Sequence, residues 1–254
     1  MMMKIKTRLG QYFLINQKIV QELVAAASIN KSDVVLEIGA GRGTITKEIA
    51  KRADKVLAIE IDKSFKSDLD RMPSNVKIIY EDALKVLEKK IKFNKIIGNL
   101  SSFLVEPLSQ RLIHLRFDLA AFLIPLKFVR DLTTGEVFPI YLQTRLIRRV
   151  DKKAFSPPPK TNWALVRISP RPNSLLAKDY ERFIQQYLHE HQKAKLKNAL
   201  REAVIRIYES QGKKVTKDQA HEIVKKTAIP PLELEDLSPT VNLAEISRCL
   251  AVVL

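Results

Sequence analysis

The chain has 254 residues, 46% of them hydrophobic, which is enough for one large domain or for one of ordinary size plus a small appendage, the latter being expected. Its 44 Lys and Arg against 28 Asp and Glu leave a formal net charge of +16, which points to a polyanionic partner, with a lysine-rich solubilising surface as the alternative. A single cysteine, Cys249, excludes a disulfide framework and a multi-cysteine zinc site; the four scattered histidines suggest no metal centre, and the absence of a long apolar run or signal core predicts a soluble, cytoplasmic protein with no membrane partner.

Ile15 to Ala27 places Ile19, Val20, Leu23, Val24 and Ala27 at helical spacing, with Asn16 as the capping residue. The next run, Val34–Ile38, feeds Gly39-Ala40-Gly41-Arg42-Gly43. A strand ending in alternating glycines describes a nucleotide-binding turn, because glycine lets the backbone turn tightly and approach a ligand. A second run, Val56–Glu60, ends in an acid about 20 residues after the first glycine, where a ribose-binding carboxylate is expected. Further strands are predicted at Val76–Tyr80, Lys95–Gly98, Leu119–Ile124, Ile140–Ile147 and Ala164–Ile168. Short apolar runs alternating with helix-like stretches make this an α/β domain, its sheet mainly parallel and covered on both faces. The last two strands, joined by Ser156-Pro157-Pro158-Pro159-Lys160, are expected to form an antiparallel edge, since proline cannot donate into a ladder.

The character changes after Pro170-Arg171-Pro172: Asp179 to Gln211 is helix-patterned, as is Leu243 to Leu254. A domain boundary near residue 171 therefore separates 1–170 from a small basic helical domain, 171–254. Between Lys193 and Lys217 there are eight Lys or Arg, among them Lys195, Lys197 and Arg201, and two acids, which makes this segment the best local candidate for phosphate contacts. His189 and His191 read as a solvated pair on that basic helix.

Dinucleotide enzymes seat a pyrophosphate with G-x-G-x-x-G. Here the loop reads G-x-G-x-G and follows a carboxylate, Glu37. An acid beside the loop suits S-adenosyl-L-methionine, which has no phosphate and carries a sulfonium and an amino group. A turn that merely packs strand on helix is the alternative.

Taken together, these motifs resemble those of the small-subunit ribosomal RNA adenine N6-dimethyltransferases, whose relatives include antibiotic-resistance rRNA methylases and mitochondrial transcription factors. The matching residues are Leu9 to Leu14 for the GQ-x-FL opening, Leu36 to Gly43 for the loop, Glu60-Ile61-Asp62 for E-x-D, Glu81 to Leu84 for G-D-A-L and Ala154 to Lys160 for AF-x-P-x-PK. A looser echo, Pro231 to Ser238, covers the family's P-x-x-R-x-E-x-LS without its Arg. The resemblance implies a Rossmann-like class I methyltransferase sheet in 1–170, binding S-adenosyl-L-methionine, and an RNA-contacting role for 171–254 and Lys160. It implies that Glu60 accepts both ribose hydroxyls, with Ile61 beside it, that Asp82 accepts from the adenine amino group while Ala83 presents its backbone, and that Gln11, Leu14, Gly39 and Gly41 enclose the methionine part.

The family's catalytic motif, N-L/I-P-Y/F, is altered here to Asn99-Leu100-Ser101-Ser102-Phe103. Asn99 retains a side-chain acceptor for one N–H of the target amine, and the carbonyl of Leu100 or Ser101 supplies another; no strong base is needed. The φ-fixing proline and the ring at position 102 are missing. Phe103, one residue later, and Phe155 are the candidate stacking surfaces. A second departure is Lys127 to Asp131, a shortened form of the family's Q-K/R-E helix. Three readings follow: an N6-adenosine methyltransferase acting on small-subunit rRNA in ribosome biogenesis, a non-catalytic binder of rRNA or a pre-ribosomal particle, and a methyltransferase for another substrate that leaves the basic tail unexplained. Monomer is the default expectation.

Overall fold

Strands buried on both faces need continuous apolar sequence, and such strands organise the first of two compact units, Met1–Pro170 and Arg171–Leu254. The structure is a computed structural model that describes residues 11–227 and 243–254. In chain order the first unit contains β1 (Phe13–Leu14), α1 (Gln17–Ala26), β2 (Val34–Ile38), α2 (Thr44–Ala50), β3 (Lys55–Ile59), α3 (Lys66–Leu69), β4 (Val76–Ile79) and α4 (Ala83–Leu87). There follow β5 (Lys95–Asn99), α5 (Ser102–Leu112), β6 (Leu119–Pro125), α6 (Val129–Thr134), α7 (Phe138–Tyr141), β7 (Leu142–Val150), β8 (Phe155–Ser156) and β9 (Trp163–Pro170).

Seven strands form one sheet in the order β4-β3-β2-β5-β6-β9-β7. The first five are parallel, and β9 runs antiparallel to both β6 and β7. Strand order reverses about β2, which leaves a crevice beyond its carboxyl end, between the loops after β2 and β5. One face of the sheet buries Val35, Ile97, Ala121 and Leu165 with Val20, Leu23 and Val24 of α1. The other buries Leu36, Ile38, Ile96 and Phe122 with Val105 and Leu108 of α5. As expected, Asn16 caps α1, its side-chain oxygen accepting the Lys18 and Ile19 amides at 3.1 and 3.3 Å.

One expectation needs correction, and two short strands were not expected. The strand predicted at Ile140–Ile147 begins two residues later and runs to Val150, because Ile140 belongs to the short helix α7. The two-residue strands β1 and β8 pair antiparallel, Leu14 opposite Phe155, and are too short to carry a periodic signal.

Glu37 stands on the same face of β2 as Val35. Its side chain is fully buried, and neither oxygen has a hydrogen-bond partner of good geometry. Burial pushes its pKa up to about 7, eased by the Thr46 hydroxyl and reinforced by Glu60.

The second unit contains α8 (Tyr180–Glu190), α9 (Leu196–Ser210), α10 (Lys217–Lys226) and α11 (Leu243–Ala251). Ile184, Leu188, Leu200, Val204, Ile207 and Val224 form its core. The helical pattern from Asp179 to Gln211 is interrupted at 191–195. His191 ends α8 there, exposed as expected, its amide donating to the Tyr187 and Leu188 carbonyls and its ring stacked on Tyr187 at 4.0 Å. No glycine or proline marks that break in the sequence. Helix α10 starts with a capping box: the Gln219 amide donates to the Thr216 hydroxyl at 3.2 Å, and the Thr216 amide to the Gln219 side chain at 2.9 Å.

Two outcomes are expected. A Cβ at Gly98 would lie 2.7 Å from the Ile38 carbonyl oxygen and 3.0 Å from a Leu100 methyl, so Gly98→Ala should destabilise the protein by about 1–3 kcal/mol in urea unfolding. For Glu37 the folded pKa exceeds the usual value of 4.5, so the native state holds a proton that the unfolded chain releases. Its contribution to stability is present below pH 4.5 and is lost as pH rises to about 7. The Glu37→Gln protein should therefore lose about 3 kcal/mol less stability across that window, and parallel pH profiles for variant and parent would refute the assignment.

Candidate active site

A cavity of about 550 Å³ occupies the crevice at the carboxyl ends of β2, β3 and β5. Its walls come from segments far apart in sequence: Gln11 to Leu14, the Gly39–Arg42 loop, Glu60 and Ile61, Glu81 to Leu84, and Asn99 with Ser101, Phe103 and Leu104. Trp163 joins them from β9.

Glu60 lies just past β3 and is almost fully buried. One carboxylate oxygen accepts the Gly41 amide and the other the Asp62 amide, each at 2.7 Å. Each oxygen thereby keeps one lone pair in reserve. Gly39, at φ +79°, adopts a backbone that an L side chain rarely takes, and its missing Cβ keeps the cavity side of the loop open, with nothing nearer than the Asn99 carbonyl oxygen at 3.9 Å. Asp82 uses one oxygen to cap α4, accepting the Leu84 amide at 2.7 Å. The Ser64 hydroxyl and amide, with a smaller contribution from Gln11, hold the Asp62 carboxyl below its ordinary range.

Asn99 ends β5. Its side-chain nitrogen donates to the Tyr12 carbonyl at 2.7 Å, while its oxygen is buried without a partner. The carbonyl can only accept, so the amide has one permitted orientation and the free atom is the acceptor. Ser101 caps α5 through its backbone, and its carbonyl already accepts the Leu104 amide at 3.0 Å. Phe103, in the first turn of α5, is 77% exposed and lines the cavity.

Of the residues read from the sequence, Gln11, Leu14, Gly39, Gly41, Glu60, Ile61, Asp82, Ala83, Asn99 and Phe103 line this cavity together. Three do not. Glu37 does not line the cavity: its side chain is buried on the face of β2 that packs against α1 and α2. Leu100 is buried, its side chain in the core and its amide donating to the Leu123 carbonyl at 2.9 Å. Phe155 is 2% exposed and packs behind Trp163, ring centroids 4.8 Å apart, so it backs the wall without forming it.

The sequence reading missed Tyr12 and Trp163, whose rings meet edge to face at 6.0 Å. The signal for Trp163 was its place as the chain's single tryptophan, at the start of a strand next to the proline-rich loop. Arg42 was also missed. Its guanidinium lies 5.9 Å from the Phe13 ring centroid and 5.6 Å from that of Phe65, and it pairs with Asp68 at 3.3 Å.

Lys160 is exposed on the loop before β9, and Lys193 and Lys195 are exposed ahead of α9. Lys197 and Arg201 are half-buried, and Arg201 pairs with Glu202 at 3.3 Å. The echo at Pro231 to Ser238, like Leu9 and Gly10, lies outside the described residues. Among the described residues no group of acids, histidines and cysteines could hold a metal, and no helix is long and apolar enough to cross a membrane.

Comparisons with known proteins show the family and the fold. A probable ribosomal RNA small subunit methyltransferase A from Methanococcus aeolicus is 32% identical over 246 residues, covering 91% of this chain and 88% of the relative. Its counterpart from Pyrococcus abyssi is 33% identical over 208 residues, covering 77% and 76%. In fold, the chain resembles a dimethyladenosine transferase from Plasmodium falciparum, with TM-score 0.60, 22% identity and coverage of 84% and 88%. It likewise resembles the 23S rRNA methyltransferase ErmE, with TM-score 0.60, 18% identity and coverage of 95% and 99%. The family pattern described as ribosomal RNA adenine dimethylase matches residues 2–229, and the chain belongs to that family.

Proposed function

We propose that this protein transfers methyl groups from S-adenosylmethionine to N6 of adenosines in small-subunit ribosomal RNA, dimethylating them during ribosome biogenesis. The observation that carries the reading is the buried, unpartnered side-chain oxygen of Asn99 in the same cavity as Glu60 and Asp82. An acceptor held in this way by the Tyr12 carbonyl calls for a donor from a ligand, and the exocyclic amine of adenine is one.

The cavity's volume suits a ligand of nucleoside size, and its donor set fits the cofactor. Glu60 accepts the ribose hydroxyls with the lone pairs that Gly41 and Asp62 leave free. Asp82 accepts the cofactor's adenine amine with the oxygen that does not cap α4, and Ala83 offers its backbone beside it. Gln11, Leu14, Gly39 and Gly41 surround the remaining part, with Ile61 against the ribose side. When bound, S-adenosylmethionine supplies an electrophilic methyl group on its sulfonium.

Asn99 then accepts one N–H of the target amine. The second acceptor is the carbonyl of Leu100 or of Ser101, the latter lining the cavity and keeping one lone pair beside its bond from the Leu104 amide. Two acceptors orient the nitrogen and favour its pyramidal form, which is catalysis by position and electrostatics. Phe103 offers the ring that the altered motif lacks at position 102, which weighs against a non-catalytic reading. The target base must leave its stack to enter the cavity, which is cheapest in a loop or at a helix end. Lys160, Lys193 and Lys195, with Lys197 and Arg201 contributing less, hold RNA phosphates, so that 1–170 is the methyltransferase domain and 171–254 an RNA-contacting one. We place the protein in the cytoplasm as a monomer.

Incubation with S-adenosylmethionine and small subunits lacking the modification, followed by mass spectrometry of digested rRNA, should reveal dimethyladenosine. Asn99→Ala should abolish it while leaving cofactor affinity intact, and undiminished turnover would sink the role given to Asn99. Phe103→Ala should lower kcat/KM roughly 5- to 150-fold, the equivalent of about 1–3 kcal/mol of base stacking. Unchanged kcat/KM would show that the base does not rest on this ring.

A further inference from the structure

Strand β7 lies at the edge of the sheet and reads Arg145-Leu146-Ile147-Arg148-Arg149, all five residues exposed. Arg167 on the adjacent strand β9 stands directly opposite Arg145, so both side chains leave the same face of the sheet. Like charges placed opposite each other destabilise an antiparallel pair. Neither arginine has a carboxylate partner among the described residues.

Their neighbour shows how such a charge is otherwise met. Arg148, opposite Leu165 and so on the same face, is gripped by both oxygens of Glu22 on α1, at 2.6 and 2.9 Å. The register shift between Leu146 and Arg148 is what brings Arg148 onto that face. Arg149, opposite Ala164, emerges on the other side.

Charges on an edge strand commonly protect it from pairing with other chains. That accounts for arginines on β7. It does not account for Arg167, since β9 lies inside the sheet between β6 and β7. A second copy of the chain is a poor occupant, because edge-to-edge pairing would bring two arginine runs together in a protein of net charge +16. The planar fork of arginine matches phosphate oxygens. Strand β9 also connects the patch to the cavity: Trp163 lines the cavity, and Arg167 follows four residues later, about 13 Å along the strand.

We propose that Arg145 and Arg167 form a phosphate-binding ridge that holds the RNA strand flanking the target adenosine, outside the catalytic cavity and within the first unit. The inference rests on the rRNA-methylation reading. Arg149 lies over the edge, where the same strand would turn.

The test uses the full chain and the double variant Arg145→Gln/Arg167→Gln, with affinity for a small-subunit rRNA fragment measured against salt concentration. The parent should show a steep dependence. In the double variant the slope of log affinity against log salt should be shallower by about 1.4–1.8, or roughly 0.7–0.9 for each phosphate left without its arginine. Arg145→Lys/Arg167→Lys should restore most of it, and S-adenosylmethionine affinity should match the parent's. An unchanged slope in a folded, monodisperse glutamine variant overturns the ridge, and aggregation with an unchanged slope assigns these arginines to edge protection instead. Parent protein that binds rRNA through a slope sensitive to these residues, yet never methylates it, would leave the ridge standing and remove the catalytic reading. Failure of the parent to bind rRNA would overturn both.

Discussion

The carboxylate of Glu60 is the constraint on which the site depends. By accepting the Gly41 amide with one oxygen and the Asp62 amide with the other, it joins the loop after β2 to the turn after β3. Amide-to-carboxylate bonds of this kind are among the stronger hydrogen bonds in proteins, and here they act on two segments whose strands are already in register from Val34 and Lys55 to Ile38 and Ile59. The glycine loop is thus held open at a fixed distance from the acid. An apolar residue in place of Glu60 would leave two amides unanswered as well as remove a ligand contact.

A second restraint comes from the chain's beginning. The strand Phe13–Leu14 crosses to Phe155–Ser156, and the Ile15 amide donates to the Ala154 carbonyl at 2.9 Å. This strap delivers the Tyr12 carbonyl to Asn99. The two motifs that flank the unit in sequence, the GQ-x-FL opening and the AF-x-P loop, therefore act on the same asparagine. Phe155, read from the sequence as a surface for the substrate, instead packs behind Trp163 and sets the depth of the cavity on that side. Its place in the motif reflects packing, and the aromatic surface that faces the cavity belongs to Tyr12, Phe13, Phe103 and Trp163.

The buried acid Glu37 has a different standing. Charge placed between sheet and helices is disfavoured, and its raised pKa is the direct result. Its position two residues ahead of Gly39 made it look like a cofactor contact, but strand alternation turns its side chain away from the crevice and into the helix layer. The same alternation sends Arg145 and Arg167 outward together, with no acid among the described residues to meet them.

The sequence by itself determined the α/β class, the approximate strands, the glycine turn and the acid that answers it, because each is written in local apolar runs, in backbone chemistry or in a fixed spacing along one strand-turn-strand unit. It also determined that Asn99 follows a strand and opens an altered motif. Tertiary structure alone decided which neighbours share a wall: that Tyr12 orients Asn99, that Trp163 and not Phe155 reaches the cavity, that Glu37 and the Leu100 side chain do not, and that Arg145 faces Arg167. Those outcomes depend on strand register and on the order β3-β2-β5-β6-β9-β7, with pairings between segments from opposite ends of the unit, such as Leu14 with Phe155. The break at His191 escaped the sequence because no glycine or proline announces it, whereas the late start of β7 was signalled by Pro139, which opens α7 just ahead of Ile140.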